Sequence, residues 1–221
     1  MIQEDQIPFY ELLTADELDL IGRKSNVVSY NKRDVIFKQD TRTSHIMIVK
    51  SGLIKVYKEG RNMKNIILRI EKPGNYLGLM SLFGKDIHQY SSAAIEPSEI
   101  IFIDIDAFHE ILMGNGAYAT KLIEIISNHG LFIFDKLMGQ TLKQLPGRIA
   151  EMILYFSEVI YESESFVFPL TRRELAEIAG TTKESLIRTL TEFKHDKIID
   201  LDGSKVEIRS LKIIKTLNDL G

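Results

Sequence analysis

The sequence predicts an α+β chain in which an antiparallel β sandwich or barrel is followed by one long helix and a C-terminal winged helix-turn-helix. Short Ile- and Val-rich runs, separated by turn residues, fill residues 27–105 and predict the β part. The hydrophobic period changes to that of a helix from residue 106 through residue 144. Two capped helical segments joined by a glycine, and then a hairpin signal, predict the C-terminal part.

Composition excludes several classes of site. The 221 residues include no cysteine, so disulfides, thiolate metal sites and cysteine-ligated iron–sulfur clusters are excluded. The first residues are acidic and lack the apolar run of a signal peptide, and no stretch approaches the roughly 20 apolar residues of a membrane span. We therefore expect a cytoplasmic protein that does not associate with a membrane.

The N-terminal elements follow from local patterns. Residues 9–24 have apolar residues at helical spacing, and Thr14 is a suitable N-cap, so a short helix is expected there. Strands are expected in five runs after it, which are "DVIFKQ", "HIMIVKSGLIKVYKEG", "KNIILRI", "GNYLGL" and "SEIIFIDI". The run "DAFHEILMGN" predicts a second short helix.

Residues 116–144 predict a helix about 40 Å long with apolar residues on two faces. One face can cover the β part, and the other then needs a partner, most simply the same helix of a second copy. A helix buried within one subunit is the alternative. The expected dimerisation residues are Leu122, Ile126, Ile133 and Leu137. "LPGR" breaks the helix, so the predicted domains are 1–115, 116–144 and 145–221.

The C-terminal part contains cap signals for two consecutive helices. Thr171 to Glu174 forms a capping box that opens the first helix, and Gly180 allows the positive φ that ends it. Residues 181–184 predict a second capping box that opens the second helix. Asp202-Gly203 lies between two short apolar runs and predicts the hairpin of a wing.

The second helix has the side chains of a recognition helix. Lys183, Glu184 and Arg188 are expected on its surface, while Leu186 and Leu190 face inward. Arginine can bond guanine O6 and N7, and glutamate can accept from cytosine N4, so base reading in the major groove is predicted. Glu184 and Arg188 are four residues apart and can pair with each other. The alternative is a helical hairpin with merely solvated charges.

Phosphate contacts are expected near the start of this helix, where free backbone N–H groups favour anions. Thr182 and Ser185 are the candidates, and we also expect Arg172 to contact DNA. Residues 145–221 carry 11 Lys/Arg against 13 Asp/Glu, a net charge of −2. The DNA prediction therefore depends on local geometry and not on a basic domain.

The order of these parts resembles the CRP/FNR family of bacterial transcription regulators over essentially the whole chain. The resemblance is carried by "LTRRELAEIAGTTKESLIRTL", "KPGNYLG" and "VKSGLIKVY". It implies a jelly roll of the cyclic-nucleotide-binding type, a long dimerisation helix and a winged helix-turn-helix. It also implies homodimers that bind palindromic double-stranded DNA and contact RNA polymerase. The family's basic residue, Glu and Arg of the recognition helix fall on Lys183, Glu184 and Arg188.

The effector pattern departs from that of the cyclic-nucleotide binders of the family. They have a glutamate where this chain has Leu79, and an arginine for the phosphate, whereas no arginine occurs here between Arg69 and Arg148. A buried phosphate without a positive partner is costly, so the sequence argues against cAMP. The family's Thr-Ser contacts to the base are replaced by Ile133-Phe134.

The expected effector pocket is apolar and the effector is unknown. Its candidate residues are Leu79, His88, His129, Ile133 and Phe134. The resemblance leaves haem open as a cofactor of a regulator that senses nitric oxide or another redox gas, although each histidine is also readily explained as structural. Other small apolar or anionic metabolites, and DNA binding without any ligand, also stay open.

Two other classes of protein are disfavoured. A cupin-type metalloenzyme needs clustered histidine and carboxylate ligands, but there is no His-x-His, and no nucleophile elbow, Walker loop or dinucleotide fingerprint occurs. The sequence therefore predicts no enzyme. A regulatory cyclic-nucleotide-type binding module without DNA binding is disfavoured because this chain lacks the glutamate and the arginine that such modules use, and because its C-terminal part is a predicted winged helix-turn-helix.

Overall fold

The computed structural model describes residues 4–60, 65–84 and 87–221. The chain divides into two compact units, one within residues 1–59 and 69–132 and the other within residues 60–68 and 133–221. Lys64, the first residue of the predicted strand "KNIILRI", lies outside the described residues.

Two short 3-10 turns, Glu4–Gln6 and Tyr10–Leu12, precede helix α1 (Ala15–Arg23). Thr14 is the N-cap of α1. Its Oγ1 accepts from the Glu17 amide at 3.3 Å, while the Glu17 carboxylate accepts from the Thr14 amide at 2.7 Å. The predicted cap is thus confirmed, and it is a full capping box that satisfies two backbone donors.

Eight strands form two four-stranded sheets in the first half of the chain. They are β1 (Ser25–Tyr30), β2 (Val35–Phe37), β3 (His45–Ser51), β4 (Ile54–Glu59), β5 (Asn65–Glu71), β6 (Tyr76–Leu77), β7 (Ser91–Ala94) and β8 (Ser98–Asp104). The orders are β1-β8-β3-β6 and β2-β7-β4-β5. Strands far apart in sequence pair antiparallel, with Ser25 opposite Ile103 in β1 and β8. The predicted antiparallel β class is confirmed.

An apolar cluster of the first unit joins the β1-β8-β3-β6 sheet to the helices around it. Helices α2 (Leu79–Leu82) and α3 (Ile105–Gly114) contribute to it, and the Asp104 side chain caps α3. Buried side chains from strands and helices form one cluster that includes Ile46, Ile48, Ile101, Ile103, Phe108, Tyr118 and Leu122. The hydroxyls of Tyr76 and Tyr118 are hydrogen-bonded to each other inside it.

Helix α4 (Gly116–Leu142) has 27 residues, close to the predicted span. Leu122 is 1% exposed and belongs to the core of the first unit, so it cannot contact a partner helix. The exposed apolar side chains of α4 are Ile123, Leu131, Ile133, Phe134, Leu137, Met138 and Leu142. Ile133 and Leu137 belong to the predicted stripe, whereas the other five lie on a face rotated from it by about a third of a turn.

The second unit contains α5 (Leu145–Leu154), which continues as a π-helical segment (Tyr155–Ile160), and then β9 (Ser165–Val167). Helices α6 (Arg172–Ala179) and α7 (Lys183–His195), strands β10 (Ile199–Asp202) and β11 (Lys205–Ile208), and α8 (Leu211–Leu220) complete it. The sheet order is β10-β11-β9. This is the predicted winged helix-turn-helix. Among the described residues, no helix combines the length and apolarity needed to cross a membrane.

Candidate nucleic-acid interface

The turn between α6 and α7 is set by caps on both sides. Thr171 and Glu174 form the predicted capping box at the start of α6. Gly180 ends α6 with φ 62, and its amide bonds the Ala176 carbonyl. The Thr181 amide bonds the same carbonyl at 3.0 Å. The glycine is required because a left-handed conformation at this point would strain any other side chain.

The start of α7 differs from the prediction by one residue. Thr182, and not Thr181, is the N-cap: its Oγ1 accepts from the Ser185 amide at 3.2 Å and donates to Ser185 Oγ at 3.1 Å. The prediction of a second capping box is therefore wrong. A capping box needs a Glu or Gln at the third residue of the helix, and Glu184 is the second. Thr181 is held in the C-terminal turn of α6 and is not free to cap the next helix.

Helix α7 separates a buried face from an exposed one, as predicted. Leu186 and Leu190 are buried in the second unit, whereas Lys183, Glu184 and Arg188 are exposed. No described residue forms an ion pair or a side-chain hydrogen bond with any of these three charged side chains, so the expected Glu184–Arg188 pair does not form. All three can reorient towards a ligand without breaking an existing contact.

The wing is a hairpin that turns at Asp202-Gly203, with Gly203 at φ 53. The Lys194 ammonium, near the end of α7, donates to the Leu201 carbonyl at 2.8 Å and holds β10 to the helix. Arg209 follows β11 and is ion-paired with both Asp200 and Glu207. The positive charge at the base of the wing is thus already neutralised within the protein.

Arg172 is placed differently from the other predicted DNA contacts. Its Nη2 donates to the Gly203 carbonyl in the wing turn, and its guanidinium lies 5.8 Å from the centre of the Phe168 ring. Its Nη1 is buried and has no hydrogen-bond partner among the described residues. Burial lowers the pKa of this guanidinium below its ordinary value. The hairpin contact was not foreseen, since residues 31 apart give no local signal.

Two of the predicted effector residues are buried in the first unit. Leu79 follows Gly78, which is in the left-handed region at φ 90, and its side chain belongs to the apolar core. His88 stacks on Phe37 with ring centres 3.9 Å apart. Burial lowers the pKa of His88 to about 4, and its Nδ1 has no hydrogen-bond partner among the described residues. His88 is therefore a neutral, packed imidazole.

His129 lines a cavity of about 260 Å³ in the first unit, together with Pro8, Phe9, Gly74, Asn75, Tyr76, Ile125 and Asn128. Burial, and then the nearby Arg69 cation, lowers the pKa of His129 to about 4. Ile133 and Phe134 belong to the second unit, where both are exposed. Within either unit, the structure does not gather the five predicted residues around one pocket.

A buried ion pair in the first unit was missed by sequence reasoning. Arg69 pairs with Glu71, which is 1% exposed and also accepts from Asn75 Nδ2 at 2.6 Å. Burial raises the pKa of Glu71, while Arg69 and Asn75 act in the opposite direction. The Arg-x-Glu spacing places both side chains on one face of β5, which is the signal that could have revealed the pair.

Neither His129 nor His88 lies in a site that fits a haem. The cavity beside His129 is below the roughly 300 Å³ at which pockets for drug-sized ligands begin, and His88 is stacked on a phenyl ring. No cluster of three or more His, Asp or Glu side chains in the described part of the chain could hold a metal ion.

A capped second helix, a glycine turn and a hairpin wing define a winged helix-turn-helix. A chain that combines this domain with an N-terminal β sandwich has the domain organisation of a DNA-binding transcription regulator. Residues 27–115 match the family model of the cyclic nucleotide-binding domain, and residues 147–216 match that of the Crp-like helix-turn-helix domain. The chain belongs to the CRP/FNR family of transcription regulators.

The similarity to known regulators extends over most of the chain. The HTH-type transcriptional regulator Cmr of Mycobacterium tuberculosis is 24% identical, over 89% of this chain and 78% of its own. The anaerobic regulatory protein of Bacillus subtilis is 23% identical, over 88% and 84%. The fold is similar to that of FixK2 from Bradyrhizobium japonicum, with a TM-score of 0.80 at 19% identity over 88% of this chain and 97% of that one.

Proposed function

We propose that the chain is a homodimeric regulator that reads a palindromic site through α7 and responds to an effector other than cAMP. The observation that carries the proposal is the exposed face of α7, where Lys183, Glu184 and Arg188 have no partner among the residues that the structure describes. Side chains held in internal ion pairs would have to break them before reading a base, and these three do not.

Lys183 and Glu184 are the first two residues of α7, and Arg188 lies one turn further along the same face. In this proposal Arg188 bonds a guanine and Glu184 accepts from a cytosine in the major groove. Thr182 and Ser185 lie beside the free N–H groups at the helix start, where a DNA phosphate is favoured. Contact with RNA polymerase and a cytoplasmic location follow from this role. No catalytic activity is proposed.

A second copy of the chain is the proposed partner of α4. Its exposed apolar face includes Phe134 at 66% and Leu142 at 68% exposure, and a helix presents such a stripe to water only at a cost. Two copies related by a two-fold axis would place two α7 helices on half-sites about 34 Å apart, one turn of DNA.

The dimer is tested by sedimentation. Wild-type protein is expected to sediment as a dimer and Phe134→Glu as a monomer, because the substitution places a charge in the proposed interface. Met113→Glu is the matched control, since Met113 is 90% exposed on α3 and lies outside the stripe. A monomeric wild type, or a dimer unaffected by Phe134→Glu, would contradict the assignment.

The proposal against cAMP rests on Leu79 and Arg69. The Leu79 side chain is packed in the apolar core, and Arg69 is already neutralised by Glu71, so neither can hold a ribose hydroxyl or a phosphate without rearrangement. A relative at 21% identity over 82% of this chain carries the name of a cAMP-activated regulator. Calorimetry should detect no cAMP binding at micromolar concentration, and a measurable heat of saturable binding would overturn this part.

DNA reading is tested by selection from a pool of duplexes with a randomised centre. Full-length protein is expected to enrich a palindrome with one G·C pair facing each Arg188. A shuffled duplex of the same length and composition serves as the control in a titration at stated salt. If no duplex is enriched, and selected and shuffled duplexes bind equally, the DNA-reading proposal fails.

A further inference from the structure

The wing is fastened to both helices of the motif by one cation each. From α6, the Arg172 guanidinium donates to the Gly203 carbonyl, and from α7, the Lys194 ammonium donates to the Leu201 carbonyl. The backbone adds one further attachment near the turn, where the Phe168 amide bonds the Ser204 carbonyl at 2.9 Å. Residues 202–205 at the tip are all exposed, so side-chain packing contributes little to holding the tip.

The guanidinium of Arg172 is engaged by the protein on two sides. Nη2 is committed to the Gly203 carbonyl, and Nη1 is buried. The Phe168 ring covers one face of the group. A phosphate oxygen that replaced the Gly203 carbonyl on Nη2 would detach the wing turn, and the freed carbonyl would then need another donor.

We propose that Arg172 is a positioning residue that fixes the wing turn against the first turn of α6, and that it supports DNA binding through the wing and not through a phosphate. Only the claim about DNA binding rests on the proposed function, because the contact between Arg172 and the wing turn is present in the protein without DNA. Arg173, the neighbour of Arg172, is exposed and is ion-paired with Glu177 at 3.3 Å, so it serves as the control.

The first experiment uses the free, full-length protein and hydrogen exchange of the wing amides at residues 202–205. Arg172→Ala is expected to raise their exchange rates by about tenfold, the effect of losing a hydrogen bond from a charged donor. Arg173→Ala removes the same charge one residue away and should leave the rates unchanged. Unchanged rates in Arg172→Ala would overturn the proposal.

The second experiment replaces the tether chemically. The chain has no cysteine, so Arg172→Cys with Ser204→Cys provides two unique thiols. Joining them with a short bis-maleimide restores a link between α6 and the wing turn but no positive charge, whereas capping each thiol with N-ethylmaleimide restores neither. Both forms are titrated with a duplex selected by the wild-type protein.

The bridged form is expected to bind close to wild-type affinity, and the capped form to bind at least about tenfold more weakly. Equal weakness of the two forms would overturn the proposal, because it would mean that the charge itself is needed at the DNA. If the wild type selects no duplex, the DNA proposal fails, but the exchange experiment still decides whether Arg172 orders the wing.

Discussion

Replacing Arg188 by alanine isolates the base-reading step from folding. The side chain is exposed and has no ion pair among the described residues, so its removal should change the free energy of unfolding by less than about 0.5 kcal/mol. A bidentate contact to guanine contributes about 1–3 kcal/mol of discrimination. A dimer loses two of them, or about 2–6 kcal/mol, which corresponds to a loss of affinity between about 30-fold and about 10⁴-fold.

The assay is an equilibrium titration of a selected duplex and a shuffled duplex at two salt concentrations. Lys212→Ala is the control, because it removes one exposed positive charge from α8, which packs against α5. Arg188→Ala should lose affinity for the selected duplex and retain most of its affinity for the shuffled one. Equal losses on both would refute base reading and leave Arg188 as a phosphate contact, and no loss on either would remove it from the interface.

Two further predictions concern stability. Thr171→Ala should lower the free energy of unfolding of the DNA-binding unit by about 1 kcal/mol through loss of the α6 cap, whereas Thr181→Ala, which caps nothing, should change the urea midpoint little. His88 and His129 have a pKa of about 4 when folded and 6.5 as the ordinary value, so between these limits the unfolded chain binds more protons. The contribution of these histidines to the free energy of unfolding is therefore complete above about pH 6.5 and is lost as the pH falls towards 4. The thermal midpoint of His88→Gln should accordingly drop less between pH 7 and pH 5 than that of the wild type. An equally steep drop in the variant would contradict the role given to His88.

The sequence predicted features that are decided within a few residues. The Thr14 and Thr171 caps and the turn at Gly180 depend on residue types three or four positions apart, and the structure confirms each. The start of α7 could not be resolved in this way, because two adjacent threonines can both cap. Only the hydrogen bond that ties the Thr181 amide to α6 decides between them.

Features that depend on distant contacts were not predictable. Strand β7 reads "SSAA", which has none of the β-branched apolar residues that identify a strand, and it forms because β2 and β4 pair with it on either side. Helix α4 is apolar around most of its circumference, so periodicity alone could not say which stripe the β unit buries. The burial of Leu122, with Ile123 left exposed, is decided by tertiary packing.

The internal neutralisation of Arg209 by Asp200 and Glu207 has a consequence for how the protein finds its target on a chromosome. Attraction to arbitrary DNA comes almost entirely from cations that displace counterions from phosphates, and a genome offers about 10⁶–10⁹ such competing sites. Residues 145–221 carry 11 Lys/Arg against 13 Asp/Glu, and the arginine of the wing is already ion-paired, so this region gains little binding energy from such sites. We expect its copies to spend most of their time in free diffusion rather than sliding, so that promoter occupancy follows changes in protein concentration with little buffering by the rest of the chromosome.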